Sequence, residues 1–138
     1  MKKPMIKLDG ITLDCNYEDI PALVEFYGKL TGYETYPLSG DTMPAVFGPY
    51  LSINFQPVEG YRKPTFPTEE RGQMIHLDFY VDDLKEAREY ALSIGAVEAP
   101  EQFGDSWHIF LDPAGHPFCL TRNGPSGLLD QEDIPDWG

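Results

Sequence analysis

Ile75-His76-Leu77-Asp78-Phe79-Tyr80-Val81-Asp82-Asp83-Leu84 is the stretch from which the rest of the chain can be read. Ile75, Leu77, Phe79 and Val81 alternate with His76, Asp78 and Tyr80. A period of two with one apolar face predicts a strand half-buried against another layer. Asp83 stands where a helix N-cap belongs, and Glu86 follows three residues on, as in a capping box with Asp in place of Ser or Thr. Leu84, Ala87, Ala91 and Ile94 then recur at helical spacing, and Gly95 suits the stop.

The same order occurs upstream. Ile11-Thr12-Leu13-Asp14 reads against Ile75-His76-Leu77-Asp78 at an offset of 75 − 11 = 64. Gly48-Pro49-Tyr50-Leu51-Ser52-Ile53 reads against Gly115-His116-Pro117-Phe118-Cys119-Leu120 at 115 − 48 = 67. Between them, Ile20, Leu23, Val24, Tyr27 and Leu30 or Thr31 form a helical stripe, with Pro21 in the first turn and Gly32 at the end. Short strands are expected near 34–37, 45–47 and 51–56, and again near 97–100, 107–111 and 118–122, separated by turn-forming residues. Each copy therefore reads β-α-β-β-β, an α+β class. Two copies are too few for a solenoid and suit a pseudo-symmetric single domain over 1–138. Module 1 is expected over about 8–56, a Pro- and Gly-bearing linker over 57–74, module 2 over about 75–122, and an acidic tail over 123–138.

Composition narrows the function. The chain has 138 residues, with 10 Lys+Arg against 23 Asp+Glu, a net charge of 10 − 23 = −13. Such acidity argues against a nucleic-acid partner and against docking on anionic membranes. No apolar run approaches the ~20 residues of a spanning helix. Asp9 and Gly10 follow Lys2 and Lys3 too closely for a signal peptide. Cys15 and Cys119 sit in strand-like runs without CxxC spacing, so reduced, buried thiols in a cytoplasmic protein are expected. Gly-rich phosphate loops, nucleophile elbows and zinc-finger spacings are lacking.

Three strings carry a resemblance. Residues 25–33 (Glu25-Phe26-Tyr27-Gly28-Lys29-Leu30-Thr31-Gly32-Tyr33), residues 75–84, and the run from Phe110 through Asp112-Pro113-Ala114-Gly115-His116 to Leu120 resemble the vicinal oxygen chelate superfamily. The last string is similar to its glyoxalase-like branch, which also holds bleomycin-resistance-type proteins. The resemblance covers about residues 8 to 122. It implies tandem βαβββ modules forming a cupped, barrel-like mixed sheet, as in the glyoxalase/bleomycin resistance/dihydroxybiphenyl dioxygenase fold. It also implies a homodimer and a ligand held in the groove.

On that fold, Ile11, Leu13, Cys15, Leu51, Ile53, Phe55, Ile75, Leu77, Phe79, Phe118 and Leu120 are expected under the helices. The opposite face lines the groove with Thr12, Asp14, Ser52, Asn54, Gln56, His76, Asp78, Tyr80, Cys119 and Thr121. Trp107 and Phe47 are candidate apolar walls. Metal-dependent relatives place one ligand on the first and one on the fourth strand of each module, commonly His or Glu. Here those positions hold His76 and Cys119 in module 2, against Thr12 and Ser52, or Asn54 in a slipped register, in module 1. His76 and Cys119 are the candidates for a metal, and no family-type catalytic metal or other cofactor is expected. The reading is a protein that binds an organic small molecule, a cationic drug in its sharpest form. The alternative is a glyoxalase-like lyase or isomerase acting on an activated carbonyl compound, metal-dependent or not, with Asp14, His76 or Asp78 as general base.

Overall fold

The computed structural model describes residues 2–5, 8–39, 44–65, 70–72 and 75–122. The acidic tail expected over 123–138 lies outside them, as do part of the linker and part of the turn at 39–41. The chain divides into two compact units, Met1–Glu59 and Gly60–Gly138, so the boundary falls inside the expected linker.

The first unit runs β1 (Gly10–Cys15), a 3-10 turn (Tyr17–Asp19), α1 (Ile20–Thr31), β2 (Glu34–Tyr36), β3 (Ala45–Phe47) and β4 (Ser52–Pro57). Its sheet has the order β1-β4-β3-β2, with β1 and β4 parallel and the other pairs antiparallel. Helix α1 follows its stripe: Ile20, Leu23, Val24, Phe26 and Tyr27 are buried. Tyr27 stacks on Phe55 of β4 with ring centroids 5.8 Å apart and meets Phe26 edge-on at 5.0 Å. Phe26 lies outside the expected stripe, and its burial shows the apolar face to be wider than that stripe. Gly32 closes the helix at φ 76, a left-handed conformation that a Cβ would strain.

The second unit runs β5 (Leu77–Tyr80), α2 (Leu84–Ser93), β6 (Val97–Glu98), β7 (Trp107–Leu111) and β8 (Pro117–Thr121). Its sheet repeats the topology as β5-β8-β7-β6, with β5 and β8 parallel. Phe110 and Phe118 stack at 5.6 Å, and Phe79 meets Phe118 edge-on at 5.9 Å. Asp83 caps α2, its Oδ1 accepting from the Glu86 N–H at 2.9 Å. Two expectations change. Ile75 is 66% exposed and precedes β5, so it is not a core residue. The ladder pairs Leu77 with Phe118 at its start, and Pro117 has no N–H to carry it further back. Ile11, Leu51, Leu77 and Phe79 are half-buried rather than enclosed.

The turn between β7 and β8 is held from within. Asp112 Oδ1 accepts from the N–H groups of Ala114 (2.9 Å) and His116 (3.0 Å), and Oδ2 lies 2.7 Å from His116 Nδ1. Tyr61 from the expected linker joins it, donating its hydroxyl to the Ala114 carbonyl at 3.3 Å. His116 is therefore part of a structural turn. His108, on β7, contacts Glu98 of β6 through Nε2, and Glu98 also takes a bidentate pair from Arg88 of α2 at 2.9 and 3.0 Å. Among the described residues no helix is long and apolar enough to cross a membrane.

Candidate functional site

The strand registers fix which expected site residues share a face. In the first unit Thr12 pairs with Asn54 and Asp14 with Gln56, while Asn54 pairs with Ala45 and Ser52 with Phe47. Paired residues point to one side, so this face carries Thr12, Asp14, Ser52, Asn54 and Gln56 together. Ser52 is buried and donates to Asn54 Oδ1 at 3.1 Å, and Asn54 Nδ2 lies 3.5 Å from the Thr12 hydroxyl. Gln56 turns its amide to the Pro57 carbonyl at 3.3 Å. Thr12, Ser52 and Asn54 thus form a neutral row whose polar atoms are spent on one another.

The same face continues onto β2 and β3. Ala45 pairs with Tyr36 and Phe47 with Glu34. Tyr36 and Phe47 meet edge-on at 4.8 Å between centroids and an interplanar angle of 72°. Phe47 was expected here as an apolar wall. Tyr36 was not, although it sits two positions from Glu34 in a strand whose pairing with 45–47 puts both on this side.

In the second unit Asp78 pairs with Cys119 and Tyr80 with Thr121, while Cys119 pairs with Ile109 and Thr121 with Trp107. His76 lies just before β5, its Nε2 3.5 Å from Asp78 Oδ1. The donor atoms of His76, Asp78 and Cys119 all lie within 4.8 Å of one another. Cys119 is only 7% exposed and clusters with Ala99 and Ile109 under Trp107, so it is not an open groove-lining residue. Thr121 is buried too. What this face offers to solvent is His76, Asp78 and part of Tyr80 and Trp107. Trp107 closes over Gly104: a Cβ there would lie 2.2 Å from the indole ring.

Electrostatics separates the donors. Burial, then the charge of Asp78 and a hydrogen bond to it, pushes the Cys119 thiol up to about 12. At neutral pH it is a protonated S–H donating to a carboxylate. The registers also correct the internal equivalence: Asp14 lies beside Gln56 as Asp78 lies beside Cys119, so Gln56, not Ser52 or Asn54, is the counterpart of Cys119. The equivalent strand positions are then Thr12 and Gln56 in the first unit and His76 and Cys119 in the second. Thr12 and Gln56 offer a hydroxyl and an amide, whereas His76 and Cys119, with Asp78 beside them, offer three donor atoms close together. Neither unit by itself carries a His and carboxylate pair on its first and last strands.

Comparisons with known proteins agree with this architecture. A family model described as "Glyoxalase-like domain" matches residues 10–121. No curated protein matches. Among solved structures, the chain is similar to a glyoxalase/bleomycin resistance protein/dioxygenase family enzyme from Burkholderia phytofirmans PsJN, with 19% identity and a TM-score of 0.61 over 83% of this chain and 97% of that one. It is also similar to a genomically encoded fosfomycin resistance protein from Listeria monocytogenes, with 21% identity and a TM-score of 0.61 over 85% of this chain and 91% of that one. A glyoxalase-related enzyme from Fulvimarina pelagi matches at 15% identity and a TM-score of 0.61, over 85% of this chain and 88% of that one. At these identities the likeness is one of fold.

Proposed function

Because the chain belongs to the glyoxalase-like domain family of the vicinal oxygen chelate superfamily, we propose that it binds an organic small molecule at the polar face around His76, Asp78 and Tyr80, without a family-type catalytic metal. One observation carries this reading. At position 119 the buried side chain packs with Ala99 and Ile109 under Trp107, so this strand closes the floor of the face. A floor of Cys119 and Ile109 beside Trp107, edged by an imidazole and a carboxylate, has the apolar base and few placed polar groups that small organic ligands require. The protein acts in the cytoplasm as a homodimer, and its acidity keeps nucleic acid and anionic membranes from being its partners.

The test is a thermal-shift and calorimetry screen of small organic cations, anions and neutral carbonyl compounds, paired with elemental analysis of the purified protein. Saturable binding that weakens in Asp78→Asn and Tyr80→Ala is expected. Stoichiometric nickel, zinc or iron would sink the metal-free reading. The 3.5 Å approach of His76 Nε2 to Asp78 favours a second reading, a lyase or isomerase in which this pair moves a proton α to a carbonyl. Turnover of a hemithioacetal that disappears in His76→Ala would put that reading in place of simple binding.

A further inference from the structure

We infer that Asp112, His116 and the Tyr61 hydroxyl form a proton-operated latch, which fastens the strap of residues 60–65 to the β7–β8 turn and releases it as pH rises. None of the three belongs to the face around His76, Asp78 and Tyr80. The latch joins two distant stretches of the second unit, since Tyr61 precedes His116 by 55 residues. The Asp112 side chain is fully enclosed and that of His116 is 14% exposed. Tyr61 Oη lies 3.3 Å from His116 Nε2 and 3.3 Å from the Ala114 carbonyl oxygen. The Tyr61 and His116 rings are tilted at 43°, with centroids 5.7 Å apart. Lys63 follows the same turn: a Cβ on Gly115 would lie 2.8 Å from its Cδ.

Counting protons decides the charge of the Asp112–His116 pair. His116 Nδ1 approaches Asp112 Oδ2 to 2.7 Å, which needs a proton between them, because two lone pairs would repel. A neutral imidazole with its proton there has an Nε2 that can only accept. Tyr61 has one hydroxyl proton, so it could then serve Nε2 or the Ala114 carbonyl, and the remaining contact would set two lone pairs at 3.3 Å. One more proton on the pair satisfies every contact. Nε2–H then donates to the tyrosine oxygen, and the tyrosine O–H donates to Ala114. The enclosed carboxylate supplies the matching negative charge, held in place by the Ala114 and His116 N–H groups on Oδ1. The imidazole faces Asp112 from the turn and Tyr61 and Lys63 from the strap, with Arg71 bonded to the Lys63 carbonyl at 3.2 Å. Lys63 and Arg71 disfavour a further positive charge. Asp112 favours it and touches the ring directly, whereas Lys63 meets the turn through its alkyl chain, so the carboxylate wins. The folded pair therefore holds its proton more tightly than the unfolded chain does. Its stabilisation is present at low pH and is lost as pH rises through the His116 transition. Above that transition Nε2 becomes an acceptor, Tyr61 gives up one of its two partners, and the strap loosens.

The experiment is a long-range proton–nitrogen NMR titration of the full chain from about pH 5 to about pH 10, which reads the protonation of each imidazole nitrogen. The backbone amides of Gly60, Tyr61 and Lys63 are followed in the same samples. The expected result is a His116 ring protonated on both nitrogens in most molecules at about pH 7.5, where an ordinary imidazole of pKa about 6.5 is only about one-tenth protonated. The strap amides should shift with the same midpoint. Tyr61→Phe keeps the ring and removes the oxygen that Nε2–H donates to. It should weaken proton binding at His116 about threefold to tenfold and uncouple the strap amides from the imidazole. A merely structural role for Tyr61 would lower stability by the same amount at every pH and leave the midpoint in place. Asp112→Asn should leave the imidazole neutral at about pH 7.5. Should that variant fail to fold, Tyr61→Phe decides. A His116 ring with a single proton on Nδ1 at that pH, strap amides that ignore the imidazole transition, or an unchanged midpoint in Tyr61→Phe overturns the latch.

Discussion

Position 119 shows how one side chain redirects a site. Its place on the strand was legible, because alternation along Phe118-Cys119-Leu120 puts Cys119 on the face opposite the core phenylalanines. Its burial fits the expectation of a reduced, buried thiol, but the cover comes from Ala99, Ile109 and Trp107, residues whose pairing only the folded sheet defines. With Cys15 replaced by Ala as background, ultraviolet titration of the remaining thiol should find little thiolate below pH 10, since the group is held near 12. Asp78→Asn removes the negative neighbour and should shift the transition downward, with about tenfold more thiolate at pH 9. An unchanged curve would mean that burial alone sets it. The sign for stability follows. The thiol titrates higher in the folded chain than in the unfolded one, so its stabilisation is complete at neutral pH and is lost as pH rises from about 9 to about 12. A second residue-scale outcome concerns Gly104. Gly104→Ala sets a methyl 2.2 Å from the Trp107 ring, so the indole must move. A red-shifted Trp107 emission, read in Trp137→Phe, and a loss of about 1–3 kcal/mol in urea unfolding are expected.

At the scale of elements, local signals were read well and the contacts between elements were not. Pro21, Gly32 and the Asp83 cap mark helix ends through their own backbone chemistry, and the structure uses each of them so. The fastening of α2 carries no local signal. Arg88 and His108 each meet Glu98 ten residues away, on a different element. No helical or strand period links such positions. Hydrogen bonds from Arg88 and then from His108 hold the Glu98 carboxyl down at about 2. A carboxyl lowered by folding stabilises above its unfolded pKa near 4.5, and that contribution fades as pH falls from 4.5 toward 2. Glu98→Gln should therefore cost about 0.5–1 kcal/mol at pH 7, a figure already reduced for the pair's access to water. The difference between the two proteins should close by pH 2 in parallel urea titrations. A constant difference across that range would assign the loss to packing.

For the molecule as a whole, the internal repeat was the decisive signal. Each unit builds the same parallel-antiparallel sheet from the same order of elements, although little beyond Ile-x-Leu-Asp survives as identity between the first strands. What a repeat of pattern could not reveal is what each residue on that face would bond to and what would cover it. That is why a neutral row of Thr12, Ser52 and Asn54 and a closed thiol stand where ligands were sought. The charge of −13 acts on the same scale. Among the described residues the ion pairs are few: Lys29 with Glu25, Arg88 with Glu98, and three involving histidine. Most of the acidic excess therefore repels itself in the compact state. Salt screens that repulsion, since the Debye length falls from about 30 Å at 0.01 M to about 3 Å at 1 M. Raising sodium chloride from about 10 mM to about 500 mM at pH 7.5 should lift the Tm by a few degrees, roughly 2–5 °C. Screening also weakens Arg88–Glu98, but one exposed pair contributes little beside an excess of 23 − 10 = 13 negative charges. Near the isoelectric point of about 4.4 the net repulsion vanishes, and with it the gain from salt. Calorimetric scans at both pH values separate this from a general effect of salt on burial, which would raise the Tm equally at each.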